Sequence, residues 1–350
     1  MKVLILKPRL DLPFKKFSAA VSDSNLPDLR TYWEKFVKSL TKEHQDEGDI
    51  VFVVEAPRWQ FSNKLVKQYQ ADVVYVPHTE EDRFKGGDTC LYYMQSVFPE
   101  LFTIDSQGWG GGAAFNAFAL PIDQWVFHSQ QQQQSMTATI DDSIFESYKD
   151  RIYNNQSKFA QPDGNVDIGY DDFIFVPLQL PHDETIKYHS DITVPEFVES
   201  LCRWSSISNV PIVFKGHPAN IQSMEPLVDI IGRYSNAQSN TKYVTDVSIH
   251  KLIEASSAVY LINSGVGMEA MLHSKPIVSF GRSEYQSFVY NANLNDLESA
   301  WKYVQNTTTK ALANDYRFFF SWYVNKISHH CDKIDYLRLP TTSNRKQATR

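Results

Sequence analysis

The sequence predicts an α/β protein built from two Rossmann-like halves, and three observations carry that reading. Short apolar runs of strand length alternate with stretches of helical periodicity along most of the chain. The runs are near-continuous Val, Ile and Phe, as in parallel strands buried on both faces. At 350 residues the chain is longer than the roughly 250 to 300 residues at which a single core stops growing.

In the first half, residues 2–6 (KVLIL), 49–54 (DIVFVV), 72–76 (DVVYV) and 101–105 (LFTID) read as strands, with helices over 29–40 and 60–69. A polar stretch at 161–172 (QPDGNVDIGYDD) has the composition of an interdomain linker. The alternation then restarts, with strands over 173–178, 210–214, 241–244, 258–262 and 276–280 and helices over 194–205, 224–234, 247–255 and 267–272. The boundaries read as 1–165 for an N-terminal, acceptor-side domain and 166–310 for a C-terminal nucleotide-sugar domain. Residues 311–350 read as a helical segment (312–330) packing back toward the first domain, plus a tail. Two such halves facing each other across a cleft give a GT-B-like architecture, with ligands expected in the cleft.

Composition narrows the function classes. With 42% hydrophobic and 21% charged residues the chain is an ordinary globular protein. A net charge of -7 argues against nucleic acid as a partner, because phosphate-backbone binding needs a basic face. No apolar stretch approaches the roughly 20 residues of a membrane span, and the first residues, MKVLILKPRLDLPF, lack a signal h-region. Cys90, Cys202 and Cys331 have neither CxxC spacing nor a companion histidine cluster, so neither disulfides nor zinc are expected. The expected compartment is the cytoplasm, with peripheral association at the inner membrane or in a synthase complex as a further option, since the basic tail 337–350 could meet anionic lipid.

Three strand ends carry the chemistry-bearing residues. The segment FKGHPAN at 214–220 puts His217, with Lys215 nearby, where ligands bind in α/β sheets; His217 either contacts a phosphate, its pKa lying near neutrality, or fills a turn. In INSGVGMEAMLHSKP at 262–276 a strand ends at Asn263 and Ser264, Gly265 and Gly267 form a turn, and a helix carrying Glu269 begins. Free N–H groups at a helix start attract phosphate, although Ser264 could simply cap that helix. In PLQLPHDETI at 177–186, Gln179, His182, Asp183 and Glu184 leave a strand together, and Asp183 reads either as a nucleophile toward an anomeric carbon or as a helix cap. The glycine-rich GWGGGAA at 108–114, which includes Trp109, reads as a ligand-contacting or mobile loop. No GxGxxG with a ribose-binding acid and no Walker lysine is present, so no nicotinamide or ATP cofactor is expected. The pairs Asp141-Asp142 and Asp171-Asp172 read as solvated loop acids rather than a metal-binding DxD.

Together, a strand ending in PLQ with an acid shortly after, a strand ending in KGHP, and a strand running into INSGVGMEAMLHSKPIVSFG resemble the retaining β-Kdo transferases of capsule and lipopolysaccharide synthesis, within the capsule polysaccharide biosynthesis protein group. The resemblance covers roughly 173–285, with looser matches at Ser157-Lys158-Phe159 and at the GWG of 108–110. It implies metal-independent transfer of Kdo from CMP-Kdo to a glycan hydroxyl, with no cofactor beyond the donor substrate and with a glycan or glycolipid acceptor. Under that resemblance Asp183 is the nucleophile, with Glu184 as its alternative, and His217 contacts or protonates the CMP phosphate. Ser264 with Asn263, Gly265 and Gly267 holds the phosphate, and Glu269 meets the ribose or cytidine. Gln179, Lys158, Lys215 and Trp109 are the secondary candidates for sugar or acceptor. Other GT-B enzymes, such as a CMP-sialic-acid-type transferase or a UDP-GlcNAc 2-epimerase, and a non-catalytic glycan-assembly subunit remain alternatives.

Overall fold

A computed structural model describes residues 1–8, 29–56, 63–77, 90–105, 141–159, 161–162, 168–217, 224–235 and 240–339. The chain divides into two compact units, Met1–Trp125 with Trp322–Arg350, and Val126–Ser321. Each unit carries a six-stranded sheet with helices, as the alternating pattern predicts. Among the described residues no helix is long and apolar enough to cross a membrane.

The first unit runs β1 (Lys2–Pro8), α1 (Leu29–Asp46), β2 (Ile50–Ala56), α2 (Asn63–Tyr69), β3 (Val73–Pro77), β4 (Cys90–Gln95) and β5 (Leu101–Asp105). β1 lies between β2 and β3, with all three parallel, and β4 extends the sheet in parallel beside β3. β5 pairs antiparallel with β4 because the short 96–100 turn joining them cannot make a crossover. The sheet is therefore mixed, which corrects the expectation of a wholly parallel one. On α1 the spacing of Trp33, Phe36, Val37 and Leu40 makes one apolar face, and all four are buried. Phe36 stacks on Phe102 of β5 with ring centroids 4.2 Å apart.

The second unit contains α3 (Asp142–Tyr153), β6 (Ile174–Pro177), α4 (Glu184–His189), α5 (Val194–Ser208), β7 (Ile212–Lys215), α6 (Glu225–Tyr234) and β8 (Thr241–Val244). It continues through α7 (Ile249–Ala255), β9 (Ala258–Leu261), α8 (Val266–Leu272), β10 (Ile277–Ser279), β11 (Tyr290–Asn291), α9 (Leu297–Asn306) and α10 (Thr309–Trp322). Every residue of β6, β7, β9 and β10 is buried, which is why these segments read as unbroken apolar runs. The strand order is β11-β10-β9-β6-β7-β8 and every pairing is parallel. The chain winds outward from β6 to β8, then crosses to β9 and winds the other way. The winding reverses between β6 and β9, and in open α/β sheets the crevice outside the strand ends at such a point is where ligands bind.

Two expectations are corrected. The division falls at 125/126, not at 165, and 161–172 is not an interdomain linker, because α3 belongs to the second unit. Phe145 and Tyr148 of α3 pack on Phe320 of α10, and Arg317 pairs with Asp142 and Glu146. Asp141 caps α3, and Asp172 accepts a hydrogen bond from Ser257. The helix expected over 312–330 stops at Trp322. A wider π turn, Tyr323–Ile327, follows, and then β12 (Ser328–His330), which adds antiparallel to β5 of the first unit.

The returning segment buries Cys331, Ile334, Tyr336 and Leu339 against α1 and the first sheet. It is also tied by charge. Buried Asp49 accepts from the Met1 amino group at 2.7 Å and from Tyr336 at 3.2 Å, and lies 2.8 Å from His44 Nδ1, whose Nε2 is 2.9 Å from the Tyr75 hydroxyl. Burial alone would raise the Asp49 pKa, but the hydrogen bonds from Met1 and His44 override it and hold it at about 2. Since the folded value lies below the unfolded one, this contribution is present above about pH 4 and is lost as pH falls toward 2. Asp49→Ala is expected to lower stability by about 3 kcal/mol in urea denaturation. Tyr336→Phe is expected to cost about 1 kcal/mol.

Candidate active site

The reversal point of the second sheet is pinned by two amides. Gln179 follows β6 and Asn263 follows β9; Gln179 Nε2 donates to Asn263 Oδ1 at 2.9 Å, and the Asn263 backbone N–H donates to Gln179 Oε1 at 3.1 Å. Asn263 Nδ2 then donates to the carbonyls of Thr185 and His189, at either end of α4. Both side chains are buried with their polar atoms committed to this clamp. They tie the ends of β6 and β9 to each other and to α4.

Asp183 stands at the start of α4, where its Oδ1 accepts from the backbone N–H and the hydroxyl of Thr185, both at 2.9 Å. The helix-cap reading is therefore realised. The same cap fixes where the carboxylate points. Glu184 is the first residue of α4.

Lys158, close enough to feel this carboxylate, sits on a loop held by its own polar residues. Gln161 donates to Ser157 Oγ and to the Phe159 carbonyl, and its Oε1 accepts from the Ile249 N–H at the start of α7. Ser248, which caps α7, donates to Asn155 Oδ1 at 2.8 Å. Docked in this way, the loop sets the half-buried Lys158 among Asp183, Glu269 and His217. Burial lowers the Lys158 pKa to about 8 against the opposing pull of Asp183 and Glu269. Burial also lowers His217, which Asp183 raises and Lys158 lowers further, so at neutral pH its imidazole is uncharged and donates through one N–H. The edge of Phe159 meets the His217 ring, with centroids 5.9 Å apart. Glu269, on α8 and 5% exposed, is pushed by burial up to about 7, with Lys158 opposing.

The glycine turn is organised otherwise than expected. Ser264 Oγ accepts from the Val266 N–H, while the Gly267 and Met268 N–H groups donate to the carbonyls of Ser264 and Gly265. The Gly267 N–H is thus used within the turn, while the Ser264 hydroxyl, an acceptor there, keeps its own O–H to donate. The Tyr285 hydroxyl donates to the Ser264 carbonyl, and a Cβ at Gly267 would lie 2.3 Å from Tyr285 Cζ, so Gly267 makes room for a tyrosine. Gly216 does the same for Tyr243, whose hydroxyl oxygen would lie 2.1 Å from a Cβ there; this accounts for the glycine of FKGHP. Lys215 is not part of the cluster, because its Nζ donates to the Thr245 carbonyl at 2.8 Å. Trp109 and the rest of 108–114, like the glutamine run at 130–134, lie outside the described residues.

Sequence reading missed Gln161, Tyr285 and two buried histidines, His250 and His273, behind Glu269. Each stands alone in its helix or loop, without motif spacing, and only the tertiary fold brings it to the cluster. The clamp makes a direct test. Gln179→Ala and Asn263→Ala are each expected to cost about 1 to 3 kcal/mol, because each strands a buried partner. The double variant should cost at least about 0.5 kcal/mol less than the sum when the cycle is measured by urea denaturation.

Comparison with known proteins places this cluster in a family. The profile of the family described as "Capsule polysaccharide biosynthesis protein" matches residues 129–317, more than half of the chain and every residue of the cluster. The capsule polysaccharide export protein KpsS of Escherichia coli is 26% identical over 132 residues, 35% of this chain and 34% of that protein, so the match spans about a third of the relative's length. Among solved structures, Thermosulfurimonas dismutans KpsC, beta Kdo 2,7 transferase, aligns with a TM-score of 0.48 at 16% identity, over 86% of this chain and 90% of its own. The KpsC beta Kdo 2,4 transferase of that organism aligns with a TM-score of 0.48 at 11% identity, over 93% and 91%. The UDP-GlcNAc 2-epimerase of Methanocaldococcus jannaschii aligns with a TM-score of 0.38 at 12% identity, over 91% and 99%. On the extent of the profile match, the chain belongs to the capsule polysaccharide biosynthesis protein family.

Proposed function

We propose that this chain is a retaining glycosyltransferase that moves Kdo from CMP-Kdo to a glycan hydroxyl in capsule or lipopolysaccharide assembly. The observation that carries the reading is the grouping of Lys158, Asp183, His217 and Glu269 beside the reversal point of the second sheet, inside the span that the family profile matches. A carboxylate, an ammonium and a neutral imidazole in one half-buried place suit a substrate that is itself anionic.

In this scheme Asp183, oriented by its cap, attacks the anomeric carbon with the carboxylate oxygen that the cap does not use, and the bond from that carbon to the CMP phosphate oxygen breaks. The acceptor hydroxyl then displaces the Asp183 carboxylate from the same carbon, losing its proton to solvent, and two inversions give net retention. The His217 N–H stabilises the departing phosphate oxygen, and one preorganised donor of this kind is worth roughly 3 to 4 kcal/mol. Lys158 attracts the sugar carboxylate and the phosphate, and Glu269 receives ribose hydroxyls. With Lys158 and His217 in these roles the scheme calls on no metal. The protein would act at the cytoplasmic side of the inner membrane, where the glycolipid acceptor lies.

Thermal unfolding with CMP, CDP, UDP and GDP in parallel tests the donor. A ligand at about 100 times its Kd adds about 2.7 kcal/mol of stability, and stabilisation is expected from CMP. A response to UDP instead would point to a UDP-sugar enzyme, and silence from all four to a non-catalytic subunit. Asp183→Asn keeps a good helix cap and removes the nucleophile, so it should abolish transfer while CMP still binds and Tm stays near that of the parent; near-normal turnover would refute the adduct. Loss of the His217 donor in His217→Ala should lower kcat/KM about a hundredfold to a thousandfold. Because Lys158 is charged below its pKa of about 8, kcat/KM should fall as pH rises through that value. In Lys158→Arg this alkaline decline should vanish, since the guanidinium keeps its proton.

A further inference from the structure

Behind Glu269 lie two imidazoles that the scheme above does not use. His250, near the start of α7, is 4% exposed, and His273, which ends α8, is 8% exposed. Their rings are 5.7 Å apart at 30°, and among the described residues none of their four ring nitrogens has a hydrogen-bond partner. Burying such a group unpaired costs about 1 to 3 kcal/mol, so each nitrogen calls for an explanation. For His250 the explanation is adjacent: its Nε2 is 3.9 Å from Glu269 Oε1, a gap that a small side-chain rotation or one bridging water closes.

We propose that Glu269 and His250 hold one proton between them, Glu269 O–H donating to His250 Nε2, and that an anion bound beside Lys158 strengthens their hold on that proton. His250 is then a positioning residue, acting on ligand through Glu269. The charges around the pair favour this arrangement. On the site side stand Lys158 and, beyond it, Asp183 and His217. On the other side stand His273, Lys275 and Lys149, with Glu254 beside Lys275. Lys158 faces the carboxyl groups of both Asp183 and Glu269 in a poorly solvated place. A proton on Glu269 leaves one carboxylate to one ammonium. Burial pushes Glu269 up to about 7 and His250 down to about 4, so the proton rests on the carboxyl oxygen and the imidazole accepts. Burial likewise takes His273 to about 3, helped by His250, Lys275 and Lys149, and it stays neutral. An anion at Lys158 withdraws the charge that keeps Glu269 ionised, and a proton from the buffer then forms the O–H bond.

The test is a pH titration of the imidazole Cε1–H resonances of the full chain, assigned by His250→Gln. In the ligand-free protein the His250 resonance should move with a midpoint of about 7, tracking Glu269, and this movement should disappear in Glu269→Gln. Persistence of the same inflexion in Glu269→Gln would show that His250 titrates on its own account and would overturn the pair. Repeating the titration with saturating sulfate, which itself does not titrate near neutrality, and with CMP should raise the midpoint by about one pH unit, a tenfold tighter hold on the proton. A midpoint that stays or falls with sulfate bound overturns the coupling to anions. The proposal rests on the reading above only for the identity of the anion: failure of CMP to bind would count against the CMP-sugar donor, while the ligand-free and sulfate titrations still decide the pair.

Discussion

The side chains of Gln179 and Asn263 meet where the second sheet reverses its winding, and the arrangement of the charged groups depends on that meeting. A reversal leaves two parallel strands whose chains depart in opposite directions, and with nothing between them the crevice would be filled by solvent or by loose loop. The reciprocal amides close it at its base and carry α4 with them through the bonds to the Thr185 and His189 carbonyls. Asp183, as the cap of α4, is thereby tied to both strands. Buried amides that satisfy one another in this way fix one arrangement, since any alternative leaves a desolvated donor or acceptor unpaired.

On this frame the electrostatics follow from desolvation more than from pairing. Burial is the leading cause of the shifts at Lys158, His217, Glu269 and His250, and each shift moves its group toward neutrality. Against burial, Lys158 and Glu269 each pull the other toward its charged form. A site of this kind has little charge of its own to spare and responds strongly to the charge that a ligand brings, because field lines in a poorly solvated place are weakly screened.

Much of this was legible in the sequence. The β6, β7, β9 and β10 segments are buried on both faces, and that burial wrote itself into unbroken apolar runs. The strand ends after them carried Gln179, Asp183, His217, Asn263 and Glu269 to one rim. β4 was missed because its burial is achieved with Cys, Leu, Tyr, Met and Gln, among which only the two tyrosines favour a strand and no Val or Ile run marks it. β12 was missed because a single helical pattern ran from α10 across the π turn, and only pairing with β5 turns Ser328–His330 into a strand. The domain boundary was misplaced because polarity at 161–172 imitates a linker, whereas the loop at its start owes its polar residues to capping α7 and ordering Lys158. The structural partners of Gln179, Asn263 and Gly267 were hidden for a related reason: an amide or a glycine at a strand end suits a ligand and a structural partner equally well, and only the fold supplies the partner.

Two of those glycines are matched to tyrosines distant in the chain, Gly216 to Tyr243 and Gly267 to Tyr285. Gly267 can gain a side chain only if the fully buried Tyr285 shrinks or its backbone moves, whereas half-buried Tyr243, met at its hydroxyl end, can also turn aside from Gly216. At residues 267 and 285 a change on one side therefore calls for a compensating change on the other. Among descendants of this sequence the size of residue 267 should vary inversely with that of residue 285, a packing constraint that holds whatever the ligand.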